Sequence, residues 1–392
     1  ACSARPEASS KEGHIVNAWL LKSKRMACVC RTGLTGLLLA SGLVRAATTG
    51  PFEVDISSRE QVRSFYQTAY AASEGIPIGW TGTLAGCDPG TVSSLHREAV
   101  LRRINAFRAL AGIPSGVVLR EDYSAKAQRA ALIMSANNRV THTPPSNWIC
   151  YHPQGAEGAL NSDLALGVAG IDAVVGYMDD FGSDNGPVGH RRYLLYPQTR
   201  QMGVGDVEAT SPVQPFANAI WVIDGQFNAP RPATRDGFVA WPPPGFVPYP
   251  LVYARWSLSY PKADFRAATV RLRLQGELVP VRLEPVSTAF AENTLVWIPH
   301  ELSALRATEW PRPAEDARYE VEVTNVIVAG VATNFSYAVT VFDPAVETPG
   351  FLGGRIEGSD RVNTGETVQY TFTPVPWASA HEGLRAATLP VH

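Results

Sequence analysis

At Trp241-Pro242-Pro243-Pro244-Gly245 the chain changes its hydrophobic period, and no other feature constrains its fold as much. Upstream, apolar residues recur at helical spacing. Val100, Ile104, Phe107 and Ala111 fall at i, i+4, i+7 and i+11, with Arg97, Arg102, Arg103 and Arg108 on other faces. Downstream, the period is two. Val270, Leu272 and Leu274 alternate with Arg271 and Arg273, Tyr319, Val321 and Val323 with Glu320 and Glu322, and Tyr337, Val339 and Val341 follow the same rule. A helical pattern does not sit as a strand, so the two halves call for different architectures. The proline run between them is stiff and extended and reads as a linker or domain edge.

The first helix opens near Thr91 and ends at Gly112-Ile113-Pro114, where glycine supplies the stop and proline forbids continuation. A second is expected from about Asp122 to Asn138. Its Ala127, Ala130 and Ala131 beside Met134 imply close approach to a neighbour. A third, short helix covers Ile171 to Asp180, with Ile171, Val174, Val175 and Met178 on one stripe. Ala219 to Ile223 reads as a buried strand. Beyond the proline run, short strands separated by Pro, Gly and Asn turns indicate a β-sandwich of about a hundred residues. Its Trp256 and Trp297 are expected in the core. After Pro349 only Val368 to Phe372 reads as a good strand, so 350–392 is expected to be the incomplete start of a further β module.

Hydrophobic residues make up 45% of the 392, enough for cored domains, so wholesale disorder is excluded. A net charge of −2 leaves no basic footprint for nucleic acid. No apolar run reaches the roughly 18–20 residues of a membrane span. Lys22, Lys24, Arg25 and Arg31 precede an apolar stretch from Leu34 to Val44, closed by Val44-Arg45-Ala46. That order is expected of a secretory signal processed after Ala46, with residues before Met26 upstream of the start. No Cys follows the apolar run at the cleavage point, so no lipid anchor is expected. Cys87 and Cys150 remain beyond it, and such a pair in an exported domain can form a disulfide. Zinc ligation is the less favoured use, because neither belongs to a CxxC pair.

There is no HExxH, GxSxG elbow or P-loop, and no GxGxxG in a strand–turn–helix setting. Histidines and acids remain. His142 follows the second helix, and His190 lies in Gly189-His190-Arg191-Arg192-Tyr193 after a glycine-rich loop. Two neutral imidazoles could bind Zn²⁺ or another divalent metal with a carboxylate or water. A His–carboxylate pair could act as a general base on water. Both could equally line a cleft as hydrogen-bonded or ligand-contacting groups. Arg191 is expected to cap or pair within the domain, and His152 to lie in a loop. His96, His300 and His381 are taken as surface or helix residues without chemistry.

From about Leu95 to Asp224 the chain resembles the CAP superfamily (cysteine-rich secretory, antigen 5 and pathogenesis-related 1 proteins) in its bacterial branch. The resemblance is carried by Asn105-Ala106-Phe107-Arg108, the Ala-rich helix closing on His142, Gly189-His190-Arg191, and Met202-Gly203-Val204-Gly205. It implies an α-β-α sandwich with His142 and His190 in one open cleft beside two acids, able to hold a divalent metal such as Zn. The family's Gly-Glu-Asn motif corresponds here to Ala159-Leu160-Asn161-Ser162-Asp163, so its glutamate is missing. Glu157 is a substitute a few residues earlier, and Asp179 and Asp180 stand where the second acid belongs. Without the motif glutamate, Zn²⁺ binding is expected to be at best moderate and to fall below about pH 6.5.

The fold class expected is therefore α/β multidomain. A signal peptide and upstream segment (1–46) and a leader (47–90) precede a CAP-like α-β-α domain (91–236), an immunoglobulin-like β-sandwich (237–345) and the incomplete module. The function implied is that of an exported, extracellular or cell-surface protein binding lipid, peptide or cell-wall glycan. A metal- or His-dependent hydrolase using His142, His190, Asp180 and Glu157, or a spacer with a vestigial cleft, are the alternatives.

Overall fold

The computed structural model describes residues 51–300, 302–307 and 309–347, with the backbone of 355–357 and 371–373. The expected signal peptide and upstream segment, 1–46, and His381 lie outside the described residues. The chain divides into a unit ending at Pro344 and a second beginning at Ala345.

The first unit opens with a helix at Arg59–Phe65 (α1), capped by the Ser58 side chain on the Gln61 N–H. This stretch was expected to be a leader. Val62 and Phe65 instead pack into the main core. The next helix, Ser94–Leu110 (α2), is capped by Ser93 and buries the stripe read from its period. Two of the arginines on its other faces are not solvent-facing. Arg103 and Arg108 are both buried. Arg108 can sit there because its guanidinium donates to the carbonyls of Pro114, Leu194, Tyr196 and Thr199 at 2.8–3.1 Å, leaving a buried cation well bonded.

The strand Val118–Leu119 (β1) leads into Glu121–Asn137 (α3), which ends on Asn138 in the left-handed conformation. Pro153–Leu160 (α4) follows, with proline in its first turn and the His152 side chain accepting from the Gln154 N–H. Then come Ser162–Leu166 (β2), Gly170–Asp179 (α5) and Gly189–Leu194 (α6). Gln201–Val207 (β3) and Ala217–Trp221 (β4) complete a sheet of order β1-β3-β4-β2.

Helices cover both faces of this sheet, and strand alternation sorts the side chains between them. Met202, Val204 and Ile220 join the core shared with α2 and α5, whereas Val207, Ala217 and Ala219 join Ala127, Ala130 and Met134 of α3. The alanines of α3 answer the glycines of β3. A Cβ on Gly205 would lie 2.2 Å from the Gln128 amide nitrogen, and one on Gly203 would lie 2.4 Å from the Tyr123 carbonyl carbon. Only a bare backbone allows helix and strand to approach so closely. The Cys87–Cys150 disulfide is present, with Cα atoms 5.1 Å apart.

Beyond α6 and β4, the segment expected to be a linker or domain edge is built into strands on both sides of its prolines. Val239–Trp241 (β5) pairs antiparallel with Trp256–Ser259 (β7), and Gly245–Pro248 (β6) joins a different sheet, parallel to Val331–Phe342 (β13). Trp241 is fully buried, its indole donating to the Leu251 carbonyl at 3.0 Å and packing edge-on to Phe107 of α2. The prolines lie where the chain leaves one ladder for the other, a place that needs no N–H donors.

The remaining strands are Thr269–Leu274 (β8), Glu277–Val279 (β9), Val281–Leu283 (β10), Thr294–Pro299 (β11) and Ala317–Val328 (β12). They form two sheets of order β10-β11-β7-β5 and β6-β13-β12-β8-β9. Trp256 and Trp297 are buried between them with Tyr319, Val321 and Val339, as their strand positions predict. One core thus runs from α1 and α2 through Trp241 into both sheets. In the second unit, Arg355–Glu357 (β14) pairs antiparallel with Thr371–Thr373 (β15).

Candidate functional site

The C-terminus of α5 builds the site. Asp180 follows its last turn in the left-handed conformation, φ 54° and ψ 42°. That turn directs the side chain toward α6, ten residues on. Asp180 Oδ1 accepts from His190 Nδ1 at 2.7 Å, and Oδ2 accepts from the Arg191 backbone N–H at 3.3 Å. The carboxylate is fully buried, while a quarter of the His190 side chain is exposed. The Tyr177 ring, one turn earlier on α5, stacks on the imidazole with centroids 5.2 Å apart. With Nδ1 engaged and Tyr177 on one face, His190 Nε2 is the polar atom left for a ligand. It has no hydrogen-bond partner among the described residues.

Arginines fasten this corner, chiefly through backbone carbonyls. Arg191 donates to the carbonyls of Met178 and Asp179, capping the end of α5, and to the Arg255 carbonyl and Ser257 hydroxyl. Arg255 returns donors to the carbonyls of Asp180 and Gly182. Arg192 is spent on the carbonyls of Ser287, Phe290 and Glu292. The β half therefore holds the loop that presents Asp180 and His190.

The electrostatics follow from this packing. Burial disfavours a charged His190, but the Asp180 charge and hydrogen bond, with Asp163 adding to them, outweigh it and push the imidazole up to about 9. It is an imidazolium at neutral pH, with Nε2–H a donor. Burial also holds Asp163 well above the carboxylate range, His190 opposing and Asp180 adding to that effect. Among the described residues, the buried Asp163 Oδ2 has no hydrogen-bond partner.

His142 is placed differently. It is exposed, and its Nδ1 hydrogen-bonds the Ala159 carbonyl at 2.8 Å. The stretch Ala159–Asp163 thus acts on both histidines, bonding His142 through the Ala159 carbonyl and influencing His190 electrostatically through Asp163. Among the described residues no hydrogen bond joins His142 to His190 or to an acid. Glu157 is exposed on α4 with its carboxylate on Lys126 Nζ at 2.6 Å, so it does not replace the missing glutamate at His190. Asp179 is buried, and burial pushes it up to about 7 against the pull of Arg191.

A divalent metal needs three or four converging donors. Among the described residues no three His, Cys, Asp or Glu side chains form such a group. Asp180 stands behind His190, and Glu157 is neutralised by a lysine. This donor set does not fit zinc, and no step is derived through a metal.

Two participants were not anticipated. Asp163 lies in Ser162-Asp163-Leu164-Ala165-Leu166, where an acid inside a buried apolar strand was the available signal. His96, expected to be inert, is 3% exposed and bonds Asp206 Oδ2 at 2.9 Å. That pairing spans 110 residues and left no local trace. His300, by contrast, is exposed, bonds the Tyr319 hydroxyl at 3.3 Å and packs edge-on against the Trp310 and Tyr319 rings.

Residues 101–223 match the family model described as CAP, the cysteine-rich secretory protein family. No curated protein matches the chain.

Proposed function

We propose that this protein, whose residues 101–223 match the CAP family model, is exported and binds a ligand at His190, in a cleft whose other wall carries His142. Its two β-sheets, read as an immunoglobulin-like module, fasten the cleft from behind. The observation that carries the reading is the 2.7 Å bond from His190 Nδ1 to buried Asp180, which leaves a charged Nε2–H facing out. An imidazolium is a donor, so it suits a ligand that offers an oxygen acceptor: a lipid headgroup, a peptide carbonyl or carboxylate, or a glycan. It suits general-base hydrolysis poorly, because the base must be neutral at working pH. Export is supported by the Cys87–Cys150 disulfide, since such bonds persist in oxidising compartments. No helix among the described residues is long and apolar enough to cross a membrane.

The test is binding of the whole chain to three probes at pH 7: phosphatidylglycerol vesicles, insoluble peptidoglycan and a mixed peptide library. Binding to one of them that weakens at least tenfold in His190→Ala, about 1.4 kcal/mol, and declines as pH passes about 9 supports the reading. Binding indifferent to His190→Ala, or hydrolysis of a probe with a rate rising through pH 9, contradicts it.

A further inference from the structure

Tyr177, the ring stacked on His190, is the near end of a buried polar chain that the cleft itself does not use. Its hydroxyl donates to Asn218 Oδ1 at 2.8 Å, and the Asn218 amide donates to Asp206 Oδ1 at 2.7 Å. Asp206 Oδ2 meets His96 Nε2 at 2.9 Å. The N–H of Gly170, the first residue of α5, also donates to Asp206 Oδ1, at 2.7 Å. All four residues are no more than 3% exposed. Burying so many polar groups is unfavourable unless each is bonded, and here each is. The hydroxyl and the amide fix the order of donors, which converge on Asp206.

The geometry places both ends of α5 under this chain. At the N-terminus, Gly170 has φ +58°, and a Cβ there would lie 2.5 Å from the His96 ring, so glycine is what lets the imidazole reach Asp206. Gln128 clamps Asp206 in place, exchanging hydrogen bonds with its backbone N–H and carbonyl. At the C-terminus, Tyr177 lies against His190 and Asp180 bonds it. We infer that His96 is a positioning residue for His190, acting through Asp206 and Asn218 on Tyr177.

The functional weight of this coupling rests on His190 as the ligand-facing group, but the coupling itself belongs to the ligand-free protein. The groups that face or adjoin His190 are Asp180, Asp163, Tyr177 and Arg191. None of them touches His96, so a response of His190 to His96 must travel through α5 or the chain.

The experiment is an imidazole ¹⁵N–¹H titration of His190 in the whole chain without ligand. His96→Phe keeps the ring and removes the donor to Asp206. It is expected to move the His190 resonance and shift its midpoint by at least about 0.5 pH unit. His96→Gln, which keeps an N–H donor, is expected to restore both. Tyr177→Phe removes only the hydroxyl at the last link, and in that background His96→Phe should have a smaller effect. A folded His96→Phe with an unchanged His190, or equal effects in the two backgrounds, would overturn the inference. Should His96→Phe fail to fold, Tyr177→Phe alone decides, since an unmoved His190 there is equally contradictory. A failed binding assay beside a positive titration would remove the functional reading and leave the coupling standing.

Discussion

Replacing Asp180 by Asn removes the charge that holds His190 protonated while keeping the shape of the corner. Asparagine accepts the left-handed backbone found at this position, φ 54°, so the turn after α5 survives. An imidazole raised from 6.5 to about 9, at about 1.4 kcal/mol per pH unit, links to roughly 3 kcal/mol of folding free energy. A quarter of the side chain is exposed, and solvent screening makes that an upper bound, so about 1–3 kcal/mol is expected. The folded state binds the proton more tightly than the unfolded state. This stabilisation is therefore complete below about pH 6.5 and is lost as pH rises through about 9. Urea unfolding followed by tryptophan fluorescence, at half-unit steps from pH 6 to 9.5, measures it. The wild type should lose stability across that window. Asp180→Asn should start about 1–3 kcal/mol lower at pH 6 and show a flatter profile. Parallel profiles offset by a constant would mean that His190 does not carry the linkage.

Two further expectations concern the frame. Gly205→Ala puts a Cβ 2.2 Å from backbone of α3, and with no flexible side chain to yield it should cost on the order of 3 kcal/mol. A urea midpoint close to wild type would show that α3 can move away. Reduction of Cys87–Cys150, or the double change to Ser, opens a loop with a sequence separation of 63 and should remove about 2–4 kcal/mol. Melting that does not respond to reductant would deny the bond a stabilising role.

How far the sequence could be read depended on how local each signal was. The stripe of α2 and the alternation of β8, β12 and β13 are periodic over several turns or residues, and the structure places them as expected. The six-residue α6 and eight-residue α4 are too short to show a period, and α4 contains two glycines. The segment carrying α1 offers few apolar residues, and its burial is set by partners such as the backbone of Gly245, whose Cβ would meet the Ile56 carbonyl at 2.4 Å. The proline run masked the fact that Trp241 is a core residue. Within the site, Asp180 and His190 lie ten residues apart and were both legible. Sequence proximity could not show that the Glu157 carboxylate pairs with Lys126. His96 and Asp206 were invisible as a pair, each being unremarkable in its own element.

The proposed ligand contact depends on His190 being an imidazolium held by Asp180. The most direct measurement is the ¹⁵N spectrum of the His190 ring at pH 7 and its titration upward, with His190→Gln for assignment. The account predicts both ring nitrogens protonated at pH 7 and a midpoint near 9. A single protonated nitrogen at pH 7, or a midpoint at or below the ordinary histidine value of about 6.5, would contradict it.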